Sequence, residues 1–377
     1  MKKLLFFLTL SSALTTSAQV SVFVSGQDGY KAYRIPALLQ LPGGDLLAFA
    51  EGRVNGPSDW GNIDMVMKRS TDGGRTWSPS QVIVDFDTLQ VSNPGPVYDK
   101  DTKRLFLFYN SGTVPEHQIR MGQGVKRCWY VTSDDQGRTW SKPIDITSQV
   151  DLLNKPDIDP SWTHTEDWRY YANTPGHAFQ IGDGPHAGRI FVACNHTAGP
   201  PRGRTMDGDA HGYYTDDHGK TFHLGNSIQV PGANEATALA LPGGTVMINT
   251  RNSGVDRCRI VALSADGGQT WDTTWYDHQL PDPGCEGSIV AAGSRKGKPV
   301  IAFCNEAAHK RDSLTLRISF DEGRTWPISH LLDHSDNPAL SKNYSAYSDI
   351  AWLGGHRIGV LYEKNNYGEI VFTVAKW

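Results

Sequence analysis

The sequence predicts an all-β fold, a six-bladed β-propeller with four antiparallel strands per blade, and three observations carry that expectation. An octapeptide recurs five times, a hairpin pattern recurs six times, and the composition favours turns and sheets, with 39 Gly, 21 Pro, 11 Trp, 14 Tyr and 13 Phe. The octapeptide, S/T-x-D-x-G-x-T-W/F, occupies residues 70–77, 133–140, 215–222, 264–271 and 319–326. Its Asp (Asp72, Asp135, Asp217, Asp266, Asp321) can accept backbone N–H bonds, and the Gly two positions later tolerates positive φ. The closing aromatic residue is expected to plug into the sheet it leaves. The copies start 63, 82, 49 and 55 residues apart, too far for one hairpin and suited to a four-stranded unit.

The blade count comes from the hairpins. Residues 39–47 and 239–247 share a Leu-Pro-Gly-Gly turn between apolar flanks, residues 353–361 repeat the pattern around Gly-Gly-His, and looser versions lie at 97–108, 179–193 and 289–303. Six hairpins set the expectation of six blades.

The first residues stand apart from this domain. Lys2 and Lys3 precede the apolar run from Leu4 to Leu10, and small polar residues follow as far as Ala18, the pattern of a secretory leader over residues 1–18 ahead of a domain at 19–377. Its removal takes the formal charge from −4 to −6. With 36 Lys+Arg against 40 Asp+Glu and no basic run, the chain lacks the electrostatic footprint of a nucleic-acid binder. No other apolar stretch approaches a membrane span, so a periplasmic or secreted protein is expected. Five scattered cysteines without a C-x-x-C pair argue against a zinc site; most read as buried apolar residues, although an exported protein admits one or two bridges.

Strand parity then sorts the loops. In an up-and-down four-stranded blade the 1–2 and 3–4 turns share one face, so the Gly-rich hairpins and the octapeptides share a face and the remaining loops share the other. That second face carries Arg34, His177, Glu235, Glu286 and Tyr347 at the starts of first strands, and Glu51, Arg53, Asp59, His196, Arg251, Arg311 and Glu363 in 2–3 segments. Three arginines from three blades (Arg34, Arg251, Arg311) suit an anionic group gripped by planar bidentate donors, a carboxylate being the natural candidate.

At this point the chain resembles the exo-sialidases (neuraminidases) over nearly its whole length. Arg34-Ile35-Pro36 matches the R-I-P motif, the five octapeptides match the Asp boxes, and Ala346-Tyr347-Ser348-Asp349 with the later Gly359 to Glu363 segment resembles the C-terminal signature. The resemblance implies that Arg34, Arg251 and Arg311 hold the carboxylate of a terminal sialic acid, with Arg317 the competitor for the third place; Arg317 lies in an alternating strand pattern and Arg311 in a loop, which favours Arg311. It implies Asp59 as acid/base, preferred over Asp64 because Asp64 starts a strand. Tyr347 would be the nucleophile, with Tyr344 the nearby alternative and Glu235 the base that takes the phenolic proton. A tyrosine nucleophile is an established exception to the two-carboxylate scheme of glycosidases, and a neutral phenol avoids the repulsion an Asp or Glu would meet from the sugar's own carboxylate. Glu363 would fix Arg34, and Arg53 would reach the sugar's ring substituents.

The implied activity is retaining hydrolysis of terminal sialic acid from glycans, glycoproteins or glycolipids, without metal or organic cofactor. A trans-sialidase and a non-catalytic sialoglycan-binding propeller are the alternatives. Residues 111–127 and 151–177 exceed ordinary loop lengths, and the second carries Trp162, Trp168, Tyr170 and Tyr171. These stretches are expected either to rim the pocket or to pad the propeller edge; His177, His196 and Glu286 receive no role.

Overall fold

The computed structural model describes residues 17–197, 208–337, 339 and 343–377. The expected leader lies outside the described residues apart from Ser17 and Ala18. Strand β1 (Val20–Val24) comes first, followed by a ladder of β2 (Ala32–Gln40), β3 (Leu46–Arg53), β4 (Ile63–Ser70) and β5 (Gln81–Val84). The next ladder holds β6 (Gln90–Asp99), β7 (Arg104–Gly112), β8 (Lys126–Ser133) and β9 (Ile144–Asp145). In the third, the first strand is split into β10 (Tyr171–Asn173) and β11 (Phe179–Gln180), both paired with β12 (Ile190–Thr197), and β13 (Gly208–Thr215) and β14 (His223–Leu224) follow. Two regular sheets come next: β15 (Ala233–Ala240), β16 (Val246–Asn252), β17 (Cys258–Ser264) and β18 (Thr273–Pro281), then β19 (Ser288–Arg295), β20 (Lys298–Glu306), β21 (Leu314–Ser319) and β22 (Ile328–Asp333). The chain ends with β23 (Ser345–Trp352), β24 (Arg357–Lys364) and β25 (Glu369–Lys376).

The architecture is an all-β propeller closed by its own termini, because β1 pairs antiparallel with β25 and so completes the last sheet. Among the described residues, hydrogen bonding divides it into five sheets rather than six separate ones. One has eight strands, since the ladders β2–β5 and β6–β9 meet at a single parallel bridge, Ile63 to Gln90. The physical reason is local: β4 and β6 run side by side for one residue where the chain leaves β5.

Each octapeptide joins the last two strands of its ladder. In the first copy Asp72 Oδ1 accepts from Arg75 N (3.0 Å) and Thr76 N (3.0 Å), Oδ2 accepts from Thr76 Oγ1 (2.7 Å), and Ser70 Oγ accepts from Gly74 N (2.8 Å). Gly74 has φ +89°, and a Cβ there would overlap the Phe372 ring of the neighbouring sheet. The same clash awaits Gly219 against Phe106 and Gly268 against Phe191. Glycine is thus required for both its backbone angle and the close approach of the next sheet. The aromatic residues follow suit: Trp77 meets Phe372 edge-on at 5.5 Å, and Trp140 meets Phe49 at 6.3 Å. They fill seams between adjacent ladders instead of plugging only the sheet they leave. The octapeptides therefore staple the ring from outside, while apolar clusters such as Phe106, Phe108, Tyr130, Val192, Tyr213 and Phe222 fill the space between ladders.

These turns bond to the ionised carboxylate. At Asp217, burial raises the pKa, but hydrogen bonds from Thr221 and Thr215 outweigh it and hold the group at about 2. This contribution to stability is complete above the ordinary carboxylate value and is lost as the pH falls through the folded-state value. The serine hydroxyl matters independently of pH, because Ser264 is fully buried and its Oγ accepts from Gly268 N at 2.7 Å. Ser264→Ala leaves that buried N–H without a partner, and denaturant unfolding is expected to show a loss of about 1–3 kcal/mol; no loss would mean that the turn is held by the aspartate alone.

Candidate active site

The first strands of the ladders begin irregularly. Register shifts lie between Arg34 and Ala37 in β2, Ser92 and Gly95 in β6, Ala233 and Ala236 in β15, and Ser345 and Ser348 in β23. Bulges of this kind re-aim side chains beside active sites, and Arg34, Glu235 and Tyr347 all sit at or inside one. Ile35, within the Arg-Ile-Pro segment, has φ +57°, and Asn93 has φ +59°. These side chains come from the loop face opposite the octapeptides, as parity requires.

Glu363, at the end of β24 and 1% exposed, organises the centre. Its carboxylate accepts from Arg34 Nε (2.7 Å) and Nη2 (3.2 Å), from Ile35 N (2.8 Å) and from Tyr347 N (3.3 Å). Burial lowers the Arg34 pKa, but the Glu363 charge and hydrogen bond outweigh it, so this guanidinium is a permanent cation.

Tyr347 is buried and donates its hydroxyl to Glu235, whose two oxygens lie 2.6 and 2.7 Å away. Arg251 Nη1 donates to Glu235 Oε2 at 2.6 Å and to the Tyr347 oxygen at 3.1 Å, while Arg251 Nε is buried without a partner. The guanidinium carbons of Arg34 and Arg311 lie 5.4 and 5.5 Å from the Tyr347 ring centre. Three cations from three ladders thus surround one phenol. Burial and the Glu235 charge push the Tyr347 pKa well up, against the opposing pull of Arg251 and Arg311. A free phenolate is therefore disfavoured, and the hydroxyl proton points at the Glu235 carboxylate.

Asp59, in the loop between β3 and β4, has a side chain 70% exposed. It accepts from Arg53 Nη1 (2.8 Å) and Arg34 Nη1 (3.4 Å), and its backbone oxygen accepts from Gln90 Nε2 (2.5 Å). Partial enclosure raises its pKa, but Arg53 and Arg34 outweigh this and hold it below the ordinary value. Arg53, expected to reach the sugar's ring substituents, is 2% exposed and spends four of its five N–H donors on Glu51, the Pro57 carbonyl and Asp59. Its buried side chain thus supports the exposed Asp59 carboxylate from below.

The residues weighed as alternatives fall elsewhere. Arg317 is buried within β21 and donates to Asn305 Oδ1 at 2.9 Å; Asp64 accepts from Tyr30; Tyr344 donates to Asp333. Arg311 lies in the loop between β20 and β21 and donates to the Tyr367 hydroxyl at 3.0 Å. His177 is bound to Asp349 at 2.7 Å, Glu286 accepts from Ser348 N beside Tyr347, and His196 is stacked on Trp168 at 3.6 Å. Of the aromatics in the long stretches, Trp162, Trp168 and Tyr171 are buried padding. Tyr170 differs: its ring lies against two cations, with the Arg120 guanidinium carbon 4.5 Å and Lys126 Nζ 5.2 Å from its centre, and burial pushes its phenol well up. All five cysteines are buried and unpaired, so the bridges admitted by an exported chain do not form.

Three neighbours of the site carry no sequence motif. Lys126, 3% exposed, donates to Gln90 at 3.2 Å and is held below its ordinary pKa by burial, with Glu116, Glu51 and Asp59 opposing. Glu306, fully buried, is pushed up to about 8 by burial. Tyr367 packs over Arg34, 4.0 Å from its guanidinium carbon. The signal for Tyr367 was an Asn-Asn-Tyr-Gly turn after Glu363, which reads as an ordinary hairpin.

A cavity of about 1030 Å³ lies elsewhere, on the side of the hairpin turns, lined by first-strand and turn residues such as Leu39, Leu41, Leu239, Leu241 and Trp352. Apart from His177, it holds none of the residues above, and the convergence of charged groups is the better guide to chemistry. Among the described residues, one cluster has the spacing of a metal site, Asp99, Asp101 and His218, again on the octapeptide side. Asp99 is already committed to Thr102, Gln180 and His218.

Comparison with known proteins places the chain in a family. Residues 44–360 match the BNR repeat-like domain family. The chain is 33% identical to a sialidase of Micromonospora viridifaciens across 90% of its own length, spanning about half (51%) of that relative. It is 30% identical to sialidase-2 of Rattus norvegicus, covering 91% of this chain and 92% of the relative. The solved structure of a Hadza microbial sialidase, Hz136, superimposes with a TM-score of 0.80 at 27% identity, covering 95% of this chain and 68% of that one. The family match over residues 44–360 and these relatives define the class, a glycan-cleaving β-propeller. The chain belongs to the sialidase family and is a glycoside hydrolase.

Proposed function

We propose that this chain is a six-bladed propeller whose loop face is a retaining exo-α-sialidase site, acting on terminal sialic acid of exported or extracellular glycans, glycoproteins and glycolipids. Counting the eight-stranded sheet as two blades joined by one bridge supports six. The single observation that carries the activity is the Tyr347–Glu235 hydrogen bond of 2.6 Å at the centre of three arginines. Arg34, Arg251 and Arg311 bind the sugar carboxylate and bring the anomeric carbon over the Tyr347 oxygen. As that oxygen attacks, its proton passes to Glu235, the glycosidic bond breaks, and the departing oxygen takes a proton from Asp59. Water then attacks the sialyl-tyrosine, giving its proton to Asp59, while Tyr347 leaves and recovers its proton from Glu235. Two displacements retain the anomeric configuration. Export through the leader at residues 1–18 completes the reading.

Asp59 is ionised in the free enzyme, whereas the first step needs its acid form. Substrate resolves this, because its carboxylate offsets the Arg34 charge and its bulk displaces water from an exposed carboxyl, and both effects raise the pKa. The alkaline limb of kcat, which reports the bound enzyme, is therefore expected at higher pH than that of kcat/KM, which reports the free enzyme. Coincident limbs, or the reverse order, would contradict Asp59 as the acid.

Turnover of a fluorogenic sialoside by the wild type and Tyr347→Phe, with NMR of the first-formed anomer, tests the mechanism. The wild type is expected to release the α-anomer, and the variant to lose at least about three orders of magnitude in kcat while binding an unsaturated sialic acid analogue within about tenfold of wild type. Equal loss of turnover and binding would sink the nucleophile assignment. A product transferred to an added sugar instead of water would mark a trans-sialidase.

A further inference from the structure

Each of the three pocket arginines needs to be held in place, and the structure holds one of them differently. Arg34 is fixed by Glu363 and Arg251 by Glu235. Arg311, among the described residues, has no carboxylate partner; it donates to the Tyr367 hydroxyl at 3.0 Å and, at 3.5 Å, to the Gly284 carbonyl. The ring of Tyr367 lies flat enough against Arg34 to bring its centre within 4.0 Å of that guanidinium carbon, and it packs on the cluster of Ile35, Cys285, Ala346 and Tyr347. One side chain thus touches two of the three arginines and the floor beneath the nucleophile.

The backbone that presents it is unusual. Asn365, Asn366 and Tyr367 have φ of +57°, +53° and +67°, three left-handed residues in succession. Asparagine visits that region readily, but a bulky aromatic residue does so at a cost, and such outliers persist where the surroundings over-determine them. Here Asn365 N donates to the Tyr344 carbonyl (2.8 Å), Asn366 N to the Asn343 carbonyl (3.1 Å), and Ser25 grips the turn through its Oγ to the Tyr367 carbonyl (2.8 Å) and its N–H to the Gly368 carbonyl (3.0 Å). The turn is clamped on both sides in the conformation that points Tyr367 into the pocket.

We propose that Tyr367 is a positioning residue of the carboxylate site, orienting Arg311 through its hydroxyl and Arg34 through its ring without neutralising either. This rests on the sialidase reading above. The chemical logic is that Arg34 and Arg251 already carry carboxylate partners, so a neutral phenol on Arg311 fixes the third guanidinium and leaves the site a net positive charge for the ligand. The nearby carboxyl of Glu306 does not substitute, since burial keeps it largely protonated below about 8.

The test compares wild type, Tyr367→Phe, Tyr367→Leu and Arg311→Ala by fluorogenic sialoside kinetics, calorimetric binding of an unsaturated sialic acid analogue, and thermal unfolding. Tyr367→Phe is expected to raise KM and analogue Kd about three- to tenfold with kcat within about twofold, and Tyr367→Leu to raise them further. On the Arg311→Ala background, Tyr367→Phe should add almost nothing, because the two act through one contact. Unchanged KM and Kd with only a lowered unfolding temperature, a loss confined to kcat, or full additivity with Arg311→Ala would each overturn the proposal. Should the wild type bind the analogue but cleave nothing, the catalytic reading falls while the Kd series still decides the role of Tyr367. A wild type that neither binds nor cleaves overturns both.

Discussion

The Glu363 carboxylate is the constraint on which the pocket depends. It sits almost wholly out of water at the end of β24, in the sheet that the chain termini close, and it bonds to the first strand of the neighbouring ladder through Arg34 and Ile35. The same group receives the Tyr347 backbone N–H. One carboxylate therefore both ties the closing sheet to β2 and sets Arg34 against the proposed nucleophile. Removing one member of such a buried pair strands the other charge, at a cost of about 3–5 kcal/mol, so the contact is indispensable even though its net worth relative to an apolar pair is small.

Around that point the electrostatics are arranged by unequal treatment of like groups. Glu363 and Glu235 each pair with one arginine, yet only Glu235 also receives the tyrosine hydroxyl and so stands where a proton can move. Glu286 and Glu306 are buried nearby and pushed upward by burial, which keeps extra negative charge away from a site built to bind an anion. Of these carboxylates Asp59 is the most open to solvent, which suits the acid/base role proposed for it. These environments, more than the residue types, separate the roles proposed for the carboxylates.

Much of this was legible in the sequence because its signals are local and periodic. The octapeptides encode their own turn through Ser, Asp, Gly and Thr, and strand parity then assigns faces without knowledge of tertiary contacts; it correctly set Arg311 in a loop and Arg317 inside a strand. What parity cannot supply is where a long side chain ends. Arg53 starts on the right face but turns beneath Asp59, because the buried Glu51 two residues away claims its guanidinium. Tyr367 escaped notice because its approach to Arg34 and Arg311 depends on a left-handed backbone clamped by Ser25 and by residues 343–344, remote in sequence. The merger of two ladders through the Ile63–Gln90 bridge has no residue signature at all.

In the proposed mechanism the Tyr347 oxygen forms the covalent bond to the sugar. A 2,3-difluorinated sialic acid tests it most directly: the fluorine beside the anomeric centre slows both displacements, while the fluoride leaving group keeps the first one feasible, so the intermediate accumulates. Mass spectrometry of the treated protein, followed by peptide mapping, should show one sialyl adduct, carried by Tyr347. An adduct on Glu235, Asp59 or another side chain would contradict the account, as would fluoride release by an active enzyme that never becomes labelled.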